Sequence, residues 1–284
     1  AQLAERRATV SVYLVCRVLI EIFNQSTPAA IGPEMTEKLE DIVFGQLKLV
    51  DPEQIAVSPL RMANWRIYGE FLGKMSENNF ISVTARFITE LDKYQKEAAR
   101  HGQTREIEAR VELLVLGMRH IRIRTYPEEA WSKTCEFMRS LARLFVQSHG
   151  QRVKQAYCYV IEKFLLSIAS NPACDLASPR WKEFLEIITP RLTEMLAKPR
   201  HWTTVFPIHS MLLCVSSKDV FASQWLSLVL SLPPKLKERP TRGIALQAIC
   251  RLLWTYLFRY SDSPSVTLRR VEEVVKVILP QGKK

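Results

Sequence analysis

Apolar side chains recur along this chain at spacings of three and four residues, without any sustained alternation of apolar and polar positions. A helix with 3.6 residues per turn places such positions on one face. The clearest stripe, between residues 79 and 99, consists of Phe80, Val83, Phe87, Leu91 and Tyr94. Further stripes occupy residues 151–170 and 265–279. The pattern predicts one helix after another and no strand.

Serine–proline pairs and acidic residues indicate where the helices begin. A serine N-cap before a proline at the first helical position favours helix starts at 58–59, 178–179 and 263–264. A proline followed by two glutamates predicts a further start at 127. The predicted helices span 3–25, 35–49, 59–77, 79–100, 104–123, 127–148, 150–170, 179–197, 202–216, 218–231, 240–261 and 264–279.

Helices of similar length joined by short turns suggest pairs repeating about every 40 residues, the period of HEAT and armadillo-type repeats. The predicted fold is therefore all-α, an α-solenoid in which neighbouring helix pairs bury each other's apolar stripes. We expect residues 1–284 to form a single array with a possible joint near 171–178. Pro190 should kink its helix or end it.

Composition supports a helical, intracellular protein. The sequence is 47% apolar and 24% charged with only 9 glycines, which is ordinary for a packed protein and sparse for β-rich folds. The six cysteines lack metal-binding or redox spacing, so we expect them to be reduced and buried. The most apolar stretch, 10–23, is interrupted by Arg17 and Glu21, and no membrane span is expected. Without an initiator Met, the chain is expected to be a fragment of a longer protein.

Motifs that would carry catalysis or hold a cofactor are not evident. The segment Gly69–Lys74 resembles a phosphate-binding loop, but it has three residues between its glycines and Met75 after the lysine. Small residues that allow close helix packing are the preferred interpretation. The five histidines show no paired-ligand spacing. We predict no enzymatic activity, no cofactor, no metal and no small-molecule substrate, although a catalytic triad from distant positions stays open.

Positive charge is concentrated in the second part of the chain. Residues 1–100 hold 12 Lys and Arg against 13 Asp and Glu, whereas residues 101–284 hold 28 against 16. Such an excess favours an acidic partner: a protein surface, tubulin-like tails, nucleic acid or anionic lipid.

Three basic clusters at predicted turns are the candidate binding residues. Their charges have two interpretations: solvated turns partly explained by helix dipoles, or a basic ridge along one edge of the solenoid. Trp202 is expected to be the most exposed tryptophan and could anchor an interface. The candidate protein-binding residues are Arg119, Arg122, Arg124, Lys198, Arg200, Trp202, Lys235, Lys237, Arg239 and Arg242.

A long stretch of sequence resembles a known family. Residues 61–97, RMANWRIYGEFLGKMSENNFISVTARFITELDKYQKE, are similar to the N-terminal region of Furry-type cell-morphogenesis proteins, the fungal members above all. Residues 6–25, RRATVSVYLVCRVLIEIFNQ, and 120–145, HIRIRTYPEEAWSKTCEFMRSLARLF, fit the same resemblance. The similarity extends over most of the chain.

The resemblance implies a function that the residues alone do not. Furry-type proteins are very large non-catalytic scaffolds of HEAT/armadillo-like repeats that associate with NDR-family kinases and their Mob coactivators in polarised growth. Some members associate with microtubules. We therefore expect a cytoplasmic scaffold, enriched at the cortex or at sites of polarised growth. The alternative is a basic helical module that attaches directly to an acidic polymer such as microtubules or RNA.

Overall fold

The computed structural model describes residues 2–261 and 266–280, and within these residues every regular element is helical. The predicted all-α class is confirmed. The α-helices are α1 Gln2–Gln25, α2 Pro28–Ile31, α3 Pro33–Leu49, α4 Pro52–Val57, α5 Pro59–Met75, α6 Phe80–His101, α7 Arg105–Gly117, α8 Glu128–Gln147, α9 Gln151–Ala169, α10 Pro179–Leu196, α11 Trp202–Cys214, α12 Lys218–Leu230, α13 Pro233–Lys237, α14 Arg239–Trp254 and α15 Leu268–Ile278. Short 3₁₀ turns occupy Met118–His120 and Pro199–His201, and a π-helical turn occupies Thr255–Arg259.

The helix starts predicted from serine–proline pairs are confirmed at two of three places. The Ser58 side chain accepts a hydrogen bond from the backbone N–H of Arg61, and Ser178 accepts one from Trp181. Each serine therefore satisfies one of the unpaired donors in the first turn of its helix. The third pair, at 263–264, lies outside the described residues.

Three helix boundaries differ from the prediction by more than two residues. Helix α7 ends at Gly117 rather than at residue 123, because the chain tightens into a 3₁₀ turn and then extends, with the Arg122 N–H donating to the Ser76 hydroxyl at 3.0 Å. Helix α15 begins at Leu268 rather than 264. Helix α14 ends at Trp254 and passes into a π-helical turn, where the prediction has one helix to residue 261. Helix α10 spans Pro179–Leu196, close to its predicted bounds, so it does not end at Pro190.

The chain divides into two compact units. Unit 1 comprises Ala1–Ile123 and Gln147–Val160, and unit 2 comprises Arg124–Val146 and Ile161–Lys284. The segment 171–178, predicted as a possible joint, lies within unit 2, where Cys174 and Leu176 are buried. The single array and its joint stay predictions.

Helix α5 forms the centre of unit 1. It packs against α1, α3, α4 and α7, and its Phe71, Leu72 and Met75 side chains are completely buried. The Phe71 ring meets Phe23 of α1 edge to face at 5.4 Å. Because α5 contacts neighbours on several sides, its apolar positions surround the helix instead of forming one stripe.

Two glycines of α5 allow the backbone after α7 to approach closely. A Cβ at Gly69 would lie 3.1 Å from the carbonyl oxygen of Gly117. A Cβ at Gly73 would lie 2.6 Å from the carbonyl carbon of His120 and nearer still to its oxygen. The preferred interpretation of the Gly69–Lys74 segment, close packing, is confirmed.

A buried carboxylate connects α3 to α6 in unit 1. Glu40 is fully buried and accepts hydrogen bonds from Asn79 at 2.9 Å and Ser82 at 2.5 Å. The Arg86 Nε donates to it at 3.3 Å, and the same guanidinium also pairs with Asp41. Several donors thus compensate the cost of removing one charge from water.

Aromatic side chains form the core of unit 2. Trp181 is completely buried, and its indole donates to the Val215 carbonyl at 2.8 Å. Its ring lies 5.2 Å from that of Trp131. The Trp225 ring stacks on Tyr256 at 4.2 Å. Most tryptophans are core residues, as the sequence predicts.

One segment among the described residues, Arg6–Gln25 in α1, is long and apolar enough to cross a membrane by length and composition alone. It buries Cys16, Ile20 and Phe23, and its Arg17 pairs with Glu70 of α5 at 2.6 Å. Ion pairs between the side chains of neighbouring helices also occur in water-soluble proteins. The expectation of no membrane span stays a prediction.

We expect iodoacetamide at pH 8 to label the native protein at one cysteine, Cys250. The expectation that all six cysteines are buried is wrong for Cys250, which is exposed on α14, whereas the other five thiols are buried. Burial raises the pKa of Cys135 and Cys174 to about 12, so almost no reactive thiolate forms at those two positions. Mass spectrometry of native and urea-unfolded samples checks this, with six labels expected after unfolding. A second rapidly labelled cysteine in the native protein would contradict the burial pattern.

Candidate protein-binding surface

Two of the predicted basic clusters lie together in unit 2. The Lys235 ammonium lies 5.4 Å from the centre of the Trp202 ring, which stacks on Phe206 at 4.4 Å. This cation–π contact joins the start of α11 to α13, although the two residues are far apart in the sequence. We call the seven predicted residues of these two clusters the basic surface: Lys198, Arg200, Trp202, Lys235, Lys237, Arg239 and Arg242.

Hydrogen bonds to backbone carbonyls hold the corner between α13 and α14. The Arg242 Nε donates to the Leu236 carbonyl at 2.8 Å, and the Thr241 hydroxyl donates to the Lys235 carbonyl at 2.7 Å. The last carbonyls of a helix lack partners within it, so these donors complete α13. Arg242 therefore positions the basic surface through its guanidinium.

The charges of the basic surface are only partly neutralised. Lys198 pairs with Glu194 at 3.3 Å, and Lys235 pairs with Glu238 at 3.2 Å. Hydrogen bonds from Arg191 and then Lys198 lower the pKa of Glu194. Lys237 and Arg239 are exposed and have no ion pair among the described residues. The arrangement is suited to binding carboxylates or phosphates.

The third cluster consists of Arg119, Arg122 and Arg124. It is divided between the two units and is less available to a binding partner. Arg119 is half-buried in unit 1, lies 5.7 Å from the centre of the Trp65 ring and donates to His120 at 2.9 Å. Burial lowers the pKa of its guanidinium. Arg122 is exposed, with its Nε 3.6 Å from Glu77. Arg124, the first residue of unit 2, is exposed and offers its carbonyl to Thr134.

The prediction that Trp202 is the most exposed tryptophan is wrong. Trp202 is half-buried because it lies between Phe206 and Lys235, whereas Trp254 is 37% exposed. Trp254 shares an exposed face of α14 with Leu246 and Cys250, each one turn apart. The spacing of four residues was visible in the sequence, but which face of α14 points outward depends on its packing against α11.

Comparison with known proteins identifies the chain's family. The model of the Cell morphogenesis N-terminal family matches residues 5–284. Cell morphogenesis protein PAG1 of Saccharomyces cerevisiae is 34% identical over 286 residues, which cover 100% of this chain and 12% of the relative. Cell polarity protein mor2 of Schizosaccharomyces pombe is 30% identical over 280 residues, 99% of this chain and 13% of the relative. No solved structure matches.

These relatives are Furry-type proteins, so the resemblance seen in residues 6–25, 61–97 and 120–145 is confirmed. The chain spans about an eighth of their length. Because the family model covers nearly every residue, the family extends across both compact units. The chain belongs to the Cell morphogenesis N-terminal family of cell-morphogenesis and cell-polarity proteins.

Proposed function

We propose that this chain is part of a non-catalytic scaffold that binds an NDR-family kinase and its Mob coactivator in polarised growth. The observation that carries the proposal is the match of the whole chain to a family named for cell morphogenesis. Its relatives are named as morphogenesis and polarity proteins rather than as enzymes. We place the scaffold in the cytoplasm, at the cortex or at sites of growth.

A HEAT/armadillo-like solenoid is the architecture we propose for this scaffold. Helices adjacent in the sequence pack on each other in unit 2, α10 on α11 and α11 on α12, while α11 also packs on α14. A helix pair cannot bury its apolar stripe alone, so stacking on the next pair stabilises both. Such stacks present long surfaces on which several proteins can assemble.

The basic surface and the Arg122–Arg124 segment are the proposed contacts for acidic groups on the kinase–Mob complex. We expect the double variant Lys235→Glu/Lys237→Glu to weaken retention of purified kinase–Mob complex by about tenfold or more, because reversed charges repel an acidic partner. The variant Arg122→Glu/Arg124→Glu tests the other segment. A pull-down at fixed concentration, followed by titration, measures both effects.

A matched control separates local contacts from total charge. Lys93→Glu/Lys96→Glu makes the same charge change at two exposed lysines of α6, 69% and 66% exposed at their side chains. Retention should be close to that of the unaltered chain. If all three double variants bind equally well, the basic contacts are wrong; if the unaltered chain does not retain the complex, the proposed partner is wrong.

The net charge of residues 101–284 supports a second candidate function, direct attachment to an acidic polymer such as microtubules or RNA. Binding that is driven by the release of counterions from the polymer loses affinity steeply as the salt concentration increases. Cosedimentation with microtubules across a salt series tests it. Absence of binding at low salt would exclude this candidate without affecting the kinase–Mob proposal.

A further inference from the structure

A groove in unit 2 lies between α10 and α12 and is floored by α11. Its volume is about 890 Å³. Leu185 and Thr189 line it from α10, Leu213 from α11, and Val220 and Leu228 from α12. The groove belongs entirely to unit 2 and opens to solvent along its length, with Val220 42% exposed.

Two contacts fix which helix ends meet at each end of the groove. The Trp181 indole donates to the Val215 carbonyl, so the start of α10 lies beside the turn that leads into α12. At the other end Lys235, which follows α12, lies over Trp202, which begins α11 after the end of α10. Helices α10 and α12 therefore run in the same direction along the two walls.

Positive charge lies at both ends of this groove. Lys182 lines it near the start of α10, Lys218 begins α12, and neither has an ion pair among the described residues. The positive ends of two helix dipoles add to them. The basic surface lies at the opposite end. Between residues 179 and 238 there are 8 Lys and Arg against 5 Asp and Glu, the latter including Glu186 on the wall and Asp219.

The floor between these ends is mainly apolar, with Ser216 as a polar residue near one end. Leu212 and Leu213 contribute to it, and His209 is the titratable side chain on it. Desolvation by burial lowers the pKa of His209, which favours the neutral form of its imidazole. An apolar, open channel with cationic ends selects an elongated ligand with one apolar face and acidic termini, rather than a compact small molecule.

We propose that this groove binds an amphipathic helix of a partner protein, whose apolar stripe faces α11 and whose acidic residues face Lys182, Lys218 and the basic surface. The 13 residues of α12 set the groove's length at about 20 Å, so the bound helix has about 13 residues. Apolar side chains spaced three and four residues apart enter between the two walls. The inference rests on the proposed function, since it specifies the kind of partner segment that the scaffold holds.

A phage-displayed library of amphipathic helical peptides, about 13 residues long and carrying either acidic or basic polar faces, tests this inference. Panning on the intact chain should enrich acidic members. The enriched peptide, synthesised with a fluorophore, should bind Val220→Asp at least about tenfold more weakly in fluorescence anisotropy, because a carboxylate would enter the apolar channel opposite an acidic ligand. Lys182→Glu/Lys218→Glu should weaken it as well.

Leu230→Asp is the matched control, since Leu230 is 40% exposed on the same helix and does not line the groove. Its peptide affinity should equal that of the unaltered chain. Enrichment of basic peptides, absence of enrichment, or equal affinity for Val220→Asp and Leu230→Asp would each overturn the inference. The library contains neither kinase nor Mob, so such a failure is distinct from loss of the kinase–Mob complex in the pull-down.

Discussion

Gly73→Ala is expected to lower the free energy of unfolding by about 2 to 3 kcal/mol, the cost of forcing an extra methyl group into a closed contact. The new Cβ would meet the carbonyl carbon of His120 at 2.6 Å, and its neighbour is backbone rather than a side chain that could rotate away. Either α5 or the 3₁₀ turn after α7 must move. Urea denaturation followed by circular dichroism measures the loss, with hydrogen exchange of the α5 amides to locate it.

Gly45→Ala is the matched control, because Gly45 is also inside a helix, α3, and a Cβ there has no heavy atom within 4 Å. Alanine is the better helix former, so this change should stabilise the protein by about 0.5 to 1 kcal/mol. The two substitutions are chemically identical and should have opposite signs. Equal effects would mean that close backbone packing does not operate at Gly73.

Arg259→Met should destabilise unit 2 by about 3 kcal/mol, because several backbone carbonyls lose a charged donor. The Arg259 guanidinium donates to the carbonyls of Ile168, Ala169, Asn171 and Cys174 at 3.0 to 3.4 Å. It thereby joins the π-helical turn to the end of α9 and the segment 171–178. Methionine keeps much of the apolar length of arginine and removes only the donors.

Denaturation and limited proteolysis together measure this effect. Cleavage within 171–178 should become faster in Arg259→Met, and Arg259→Lys should be intermediate because one ammonium cannot reach every carbonyl. Arg269→Met on α15 is the control, since Arg269 is 88% exposed at its side chain and should change stability by less than about 0.5 kcal/mol. Unchanged cleavage would show that segment 171–178 is held by other contacts.

Long helices were predictable from the sequence because their apolar stripes repeat over several turns. The same reasoning could not find α2, α4 and α13, which have 4, 6 and 5 residues and are too short to show a period. Each begins with a proline, and Asp51 caps α4 through its side chain. The signal for α4 was therefore local capping chemistry rather than periodicity.

The basic residues of the candidate site were also predictable, but their grouping was not. Charge clustering at turns indicated Lys198 and Lys235 separately, and only packing brings Lys235 over Trp202. Arg259 gave no such signal, because a single arginine in an apolar stretch does not show whether it faces water or backbone carbonyls. Contacts between residues distant in sequence depend on tertiary structure, which local patterns do not encode.

The buried Glu40 cluster has a consequence for how a chain of many similar helices folds to one arrangement. Apolar stripes on different helices are similar, so α3 could bury its apolar stripe against several helices other than its native neighbours. Asn79 just before α6 and Ser82 and Arg86 within it supply the donors that Glu40 needs, so a partner helix without such donors would leave the Glu40 carboxylate buried and uncompensated. Polar matching of this kind makes the packing of α3 specific, because wrongly paired helices are destabilised, as a buried asparagine specifies the pairing of coiled coils.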